Sequence, residues 1–228
     1  MSDLAWVSLW LDAPLMSWGF ASRFQRRTTA LHPTRSAITG MICAALGSEK
    51  GSDGERELLE RLDKVEMAMF TLRRQPEGER EPLKIRRLED FHTVTGTRSA
   101  ENKPKKDAVI THRQYLMDAR FGVLLTGEAA VLVEVAAGLR NPQWGIWFGR
   151  KNCIPASPVL AGDVAQSREE AIAHLERAAK RSVAGSACVE DAVSFAEGTD
   201  TLMDVPVNFK TREFKPRRIR LTPETLGG

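Results

Sequence analysis

The sequence predicts an α+β protein: a ferredoxin-like βαββαβ palm carrying a long β-hairpin thumb and a small C-terminal β-rich extension. Three observations predict it. Two-residue and helical periodicities follow one another in the order strand, helix, strand, strand, helix, strand up to residue 148, the order of ferredoxin-like and RNA-recognition modules. A polar stretch, residues 74–118, separates the second and third strands and is too long for a plain loop inside a compact domain. After Pro158 the pattern changes to one further helix and short strand-like pieces. Residues 1–160 are thereby assigned to the palm, with the arm at 74–118, and 161–228 to the extension.

Each element has a local reason. Over residues 4–11, Ala5, Val7, Leu9 and Leu11 share one face of a strand, and Trp6, Ser8 and Trp10 share the other. Pro14 and Gly19 end it, and Arg23, Arg26 and Arg27 follow in a polar loop. Residues 34–46 read as a helix: Pro33 stands near its start, Ile38, Met41, Ile42 and Ala45 fall on one stripe, and Gly47 suits the C-terminal stop. Gly40 inside that helix predicts close packing against another backbone. Ser52 with Glu55 forms a capping box opening an inserted helix over 52–64. Seven acids against four bases over 49–66 make its outer side a solvated face.

Residues 65–72 read as a strand with Met67 and Met69 alternating. The arm contains β-like pieces at 83–85 and 91–95, and its polar character predicts a projecting hairpin. Residues 120–126 form the third strand and 128–139 the second helix of the βαββαβ unit. The run 144–148, with Trp144, Trp147 and Phe148, reads as the fourth strand, its aromatics turned into the core. In the extension, Ser167 and Glu170 cap a helix with Ala171, Ile172, Leu175 and Ala178 inward, and 187–189, 193–196 and 209–214 are strand-like.

The composition is that of a globular protein: 228 residues, 42% hydrophobic, 28% charged, net charge +3. Such mild basicity permits a polyanionic partner without demanding one. The three cysteines are far apart, with no CxxC and no zinc spacing, which fits a reducing cytoplasm. No leader-like segment and no apolar run of membrane-spanning length is present, so a cytoplasmic protein with no membrane association is expected. There is no HExxH, GxxxxGK[ST] or GxSxG, and no metal or cofactor is expected.

Three basic features remain. From Lys84 to Arg113 the arm carries eight Lys/Arg against four Asp/Glu, interleaved with Phe91 and His92 and followed by Tyr115. Such a surface clamps a phosphate backbone and stacks on bases, or is simply a solvated hairpin. Gly149-Arg150-Lys151 ends the aromatic run: the glycine permits close approach of a phosphate and the cations supply charge, or the turn is an ordinary strand end. On either reading, replacing Arg150 and Lys151 together is expected to leave stability nearly unchanged. Residues 210–220 carry six cations and one acid, which suits RNA contact or a charged sheet edge equally. A metal-independent ribonuclease needs a base, an acid and a cation at the scissile phosphate, and His112, Tyr115 and Lys106 are close in sequence.

Five stretches in order carry a family resemblance: "LDAPLMSWG", "HPTRSAITGMICAALG", "LEDFHTVTGTR", "HRQYLMDARF" and "LRNPQWGIWFGRKNCIPASPVLAG". Together they resemble the CasD-type subunits of type I-E CRISPR Cascade complexes, members of a repeat-associated RNA-binding superfamily. The resemblance covers about residues 11–162, with a weaker echo at "FKTREF". It implies a non-catalytic subunit that caps the 5′ handle of the CRISPR RNA. The partners it implies are that RNA, the Cascade backbone subunit beside the thumb, the Cascade large subunit, and target DNA indirectly, through base pairing to the guide.

By position, the resemblance implies handle contacts from Ser17, Trp18 and Gly19 in the first loop and from Arg35 and Ser36 at a helix start, a place suited to phosphate. It adds Arg150 and Lys151 after the aromatic run, and His92, Arg98, His112 and Arg113 in the arm. A sibling branch, the type I-C form, cuts precursor RNA with a tyrosine, a lysine and a histidine, its tyrosine lying near the first helix. The single tyrosine here, Tyr115, is in the arm instead.

Overall fold

The computed structural model describes residues 4–19, 25–78, 82–104 and 106–224. The chain runs β1 (Leu4–Asp12), β2 (Leu15–Met16), β3 (Arg26–Arg27), α1 (Arg35–Ala45), α2 (Asp53–Asp63), β4 (Glu66–Thr71), β5 (Arg86–Val94), β6 (Val109–Met117), β7 (Arg120–Glu128), α3 (Ala129–Arg140), α4 (Arg168–Ala179), β8 (Cys188–Asp191), β9 (Asp200–Asn208) and β10 (Glu213–Thr222). It is an α+β molecule with two largely antiparallel sheets.

The larger sheet has the order β1-β7-β4-β8-β10-β9, with every neighbouring pair antiparallel. Its alternation is two-sided. Ala5, Val7, Leu9 and Leu11 of β1 join Met67, Met69, Phe121, Val123 and Leu125 under the apolar stripes of α1, α2 and α3. The opposite face, with Trp10, Phe70 and Leu124, is covered by Ala171, Leu175 and Ala179 of α4. Ser8 also points to that side, where its hydroxyl donates to the Ala171 carbonyl at 2.6 Å. A β-carbon on Gly122 would lie 3.0 Å from Leu175, so the glycine makes room for α4 to settle.

The run 144–148 is not a strand. Pro142 breaks the chain after α3, and Gln143 and Trp144 donate their backbone N–H groups to Ala45 and Ala44 at the end of α1. Those bonds satisfy helix C-terminal carbonyls and hold the run off the sheet. Phe148 is fully buried, but Trp144 is 48% and Trp147 38% exposed. Residues 156–165 occupy the free edge of β1 instead. Trp10 donates to Val159, Ala161 to Ser8, and Trp6 and Ala165 exchange both bonds. Pro155 and Pro158 interrupt any continuous ladder there.

Other expectations also shift. Residues 83–85 and 193–196 are not strands, and 209–212 is the turn between β9 and β10. Gly40 faces the ring of Phe209, 3.5 Å from a notional β-carbon, and not a backbone.

The arm is a hairpin. β5 and β6 pair over their whole length, from Arg86↔Met117 to Val94↔Val109. At its root, β2 and β3 flank β6, and only Asp118 and Ala119 separate β6 from β7. The C-terminal strands continue the larger sheet through β8 on β4.

One charged cluster ties these parts together. Arg35 is only 5% exposed. Its guanidinium donates to Asp191 at 2.6 Å and to the carbonyls of Leu62, Asp63 and Val65. Its backbone N–H donates to Asp204 at 2.7 Å. Arg217 bridges Asp191 and Asp204 from the other side. Removing one member of such a buried set costs about 3–5 kcal/mol because its partners stay buried without compensation. Arg35→Met is therefore expected to lower unfolding stability by that amount, read from urea denaturation, with a largely unchanged m-value.

Candidate nucleic-acid interface

The turn after Phe148 is built by backbone bonds. Gly149 N–H donates to Trp147, Cys153 N–H to Arg150, and Phe148 N–H to Cys153. Ser17 N–H then donates to the Phe148 carbonyl at 3.0 Å, docking the first loop onto the turn. Gly149 has φ +97, and a β-carbon there would fall 1.7 Å from the Ser17 carbonyl oxygen. The space the glycine leaves is thus filled by the protein's own backbone, not kept for a phosphate.

Arg150 differs from its neighbour in the same way. Its guanidinium donates to the carbonyls of Gln114 and Arg27, both at 2.9 Å, and lies 4.5 Å from the centroid of the Tyr115 ring. It rivets the turn to the root of the arm and to β3. The expectation that both cations are solvated holds for Lys151 alone, which is exposed with its ammonium 5.8 Å from the Trp147 ring centroid. Burial raises the Cys153 thiol above its ordinary pKa, against a smaller opposing pull from Arg150, so it remains a packing group.

The structure brings in two residues that sequence reasoning left in a loop. Arg26 and Arg27 are exposed on β3, which lies parallel to β6 in register with His112 and Arg113. Since Arg150 bonds the Arg27 carbonyl, Arg26, Arg27 and Lys151 surround one junction of turn, strand and arm. A signal was available: no acidic residue occurs between Asp12 and Glu49. Arg23 lies outside the described residues.

The remaining candidates divide. Ser17 is buried with its hydroxyl toward the Gln114 carbonyl, and Gly19 is exposed at the rim. Trp18 is a core ring packed on Phe121 and Phe148, at centroid distances of 6.4 and 5.8 Å, so it offers no face for stacking. Arg35 points inward, and the anion at the start of α1 is Asp204, which accepts the Arg35 N–H. A carboxylate there satisfies the helix N-terminus, so the site imagined for a phosphate is already filled. Ser36 is half-buried, 3.1 Å from the Thr34 hydroxyl, and faces a cavity of about 240 Å³ that is also lined by Ala37, Gly40, Ala44, Gly145 and Trp147.

In the arm, His112 and Arg113 stand at the root beside β3. His112 bonds Glu89 at 3.1 Å and meets Phe91 edge-on at 5.2 Å. His92, one register step further out, is paired with Asp90. Arg98 bonds Asn102 in the connection beyond the strands, where Lys106 is also exposed. His112 and Tyr115 are three residues apart on one strand and so project from opposite faces. Tyr115 is 1% exposed, beneath Arg150, and its hydroxyl accepts from Asn152. The trio His112, Tyr115 and Lys106 is not assembled.

A family model described as CRISPR-associated protein (Cas_Cas5) matches residues 6–220, nearly the whole chain. The chain belongs to the CRISPR-associated Cas5 family. Among its relatives, the CRISPR system Cascade subunit CasD of Escherichia coli (strain K12) is 26% identical over 220 residues, covering 92% of this chain and 94% of that one. In fold, the chain is similar to one in a CRISPR RNA-guided surveillance complex, with TM-score 0.72 at 24% identity over 96% of this chain and 90% of that one. A crystal structure of a Cas protein gives TM-score 0.64 at 24% identity, covering 96% and 95%.

The turn of this Cas5 chain separates structure from surface charge. Arg150→Ala removes two charge-assisted bonds to carbonyls and is expected to cost about 2 kcal/mol. Lys151→Ala is expected to stay within about 0.5 kcal/mol of the parent. Thermal and urea unfolding of the two single variants will show the difference.

Proposed function

We propose that this Cas5 chain is the subunit of a Cascade-type CRISPR surveillance complex that holds the 5′ handle of the CRISPR RNA without cutting it. The observation that carries the reading is the end-to-end match to CasD, which spans 94% of that Cascade subunit's length. The site adds a physical reason. Arg26, Arg27 and Lys151 expose unpaired charge around one junction, as a polyanion requires. By contrast, Arg86 and Arg98 of the arm and Lys215, Arg217, Arg218 and Arg220 of β10 are engaged by the protein's own acids or carbonyls.

In this reading β1, α1, β4, β7 and α3 form a ferredoxin-like palm, with residues 156–165 standing in for its fourth strand. The β5–β6 hairpin is the thumb, set against the adjacent backbone subunit, and the large subunit lies near the same RNA end. Target DNA is recognised by pairing to the guide and not by this chain. The separation of His112 from the buried Tyr115 argues against the nuclease alternative of the type I-C kind. Among the described residues no helix is long and apolar enough to cross a membrane, consistent with work in the cytoplasm.

Two measurements test the reading. The full chain is expected to bind labelled repeat-derived RNA with affinity that falls as salt rises. The triple variant Arg26→Ala, Arg27→Ala, Lys151→Ala should reduce the slope of log K against log salt by about 2–3. In EDTA the bound RNA should stay intact. Sequence-specific cleavage by the purified chain would overturn the non-catalytic assignment.

A further inference from the structure

A cavity lies between α1 and residues 145–149, and its walls are specific in kind. On the helix side, Ala37, Gly40 and Ala44 present nothing larger than a methyl group, beside Met41 and Ser36 of the same helix. Opposite is the Trp147 indole. That ring lies against Gly145, where a β-carbon would come within 2.7 Å of it, so the glycine lets it lie flat. Trp147 is 38% exposed, and its flat aromatic body is one wall of the cavity. Lys151 adds an ammonium 5.8 Å from its centroid, and Gly149, at the head of the cationic turn, closes the same cavity.

A volume of about 240 Å³ is below the usual 300–1,000 Å³ of pockets for drug-sized ligands. It suits one planar ring system. A pre-positioned aromatic wall and a cation beside it are the means by which proteins take an unstacked base from single-stranded RNA. Resting on the handle-binding reading above, we infer that this slot receives one nucleobase of the RNA, flipped out of the strand and laid on Trp147, while Lys151 meets the neighbouring phosphate. Ala37 is one wall of the slot, and a longer side chain there would compete with the ring for its space.

The test uses the full-length chain and a series of repeat-derived RNAs in which each nucleotide in turn lacks its base. One abasic position is expected to weaken binding to the parent chain about tenfold, the effect of one stacked base. Trp147→Ala should bind the intact RNA about tenfold more weakly and lose sensitivity at that position alone. Ala37→Leu, which blocks the slot from a helix that tolerates leucine, should behave the same. If the parent binds RNA but no position is sensitive, or if both variants keep the parent's pattern, the slot is overturned and the handle-binding reading stands. If the variants hinder assembly with other subunits while RNA affinity is untouched, the slot belongs to a protein side chain and the inference fails. If the parent chain does not bind the RNA at all, the broader reading falls and takes the slot with it.

Discussion

The wider sheet depends on a buried guanidinium. Arg35 opens α1, yet its side chain satisfies the carbonyls that end α2 and precede β4, and it meets Asp191 at the end of β8. Asp191 in turn accepts from the Met67 N–H of β4, and Asp204 of β9 joins Arg217 of β10 to the start of α1. Segments distant in sequence thereby share one set of hydrogen bonds. Burial of charge is tolerated because donors and acceptors are matched. The C-terminal strands are accordingly integral to the larger sheet.

The same principle sorts the cations around the turn after Phe148. An arginine can be a rivet or a probe, and what decides is whether carbonyls or carboxylates lie within reach. Arg150 reaches two carbonyls and an aromatic face, so its charge is spent on architecture. Lys151, one residue on, reaches no carbonyl or carboxylate, only the Trp147 ring, and keeps its charge for solvent or ligand. Adjacent cations in a turn thus have opposite assignments. The same division separates Arg35 from the exposed Arg26 and Arg27.

Much of the fold was legible where the physics is local. The two faces of β1 were readable from alternation alone, and both became core because helices cover each side. Ser52 and Ser167 marked helix starts through short side-chain bonds to nearby N–H groups, and Pro33 marked that of α1, whose capping hydroxyl is Thr34. The arm was readable from its polarity and length. What escaped was set by distant partners. Residues 144–148 have strand-like composition, but α1 offers free carbonyls nearby and Pro142 redirects the chain. Trp18 and Trp147 were misplaced for one reason: aromatic character does not say whether a ring is enclosed or only leaned upon. Gly149 was rightly singled out as a place of close approach, but what approaches it, the Ser17 carbonyl, lies far away in sequence. Arg26 and Arg27 could have been found from the acid-free stretch around them.

Asp118 and Ala119 are all that separates the arm's inner strand from β7, and β7 lies between β1 and β4 with Phe121 and Val123 wholly enclosed. The arm is therefore a cantilever whose beam is built into the wall. On the β7 side only those two residues could hinge, and β2, β3 and Arg150 brace the root from several directions. A sideways load at the tip must bend the hairpin along its own length or be resisted by the middle of the sheet. Such a member transmits position without slack: wherever the tip is held, the larger sheet is held with it.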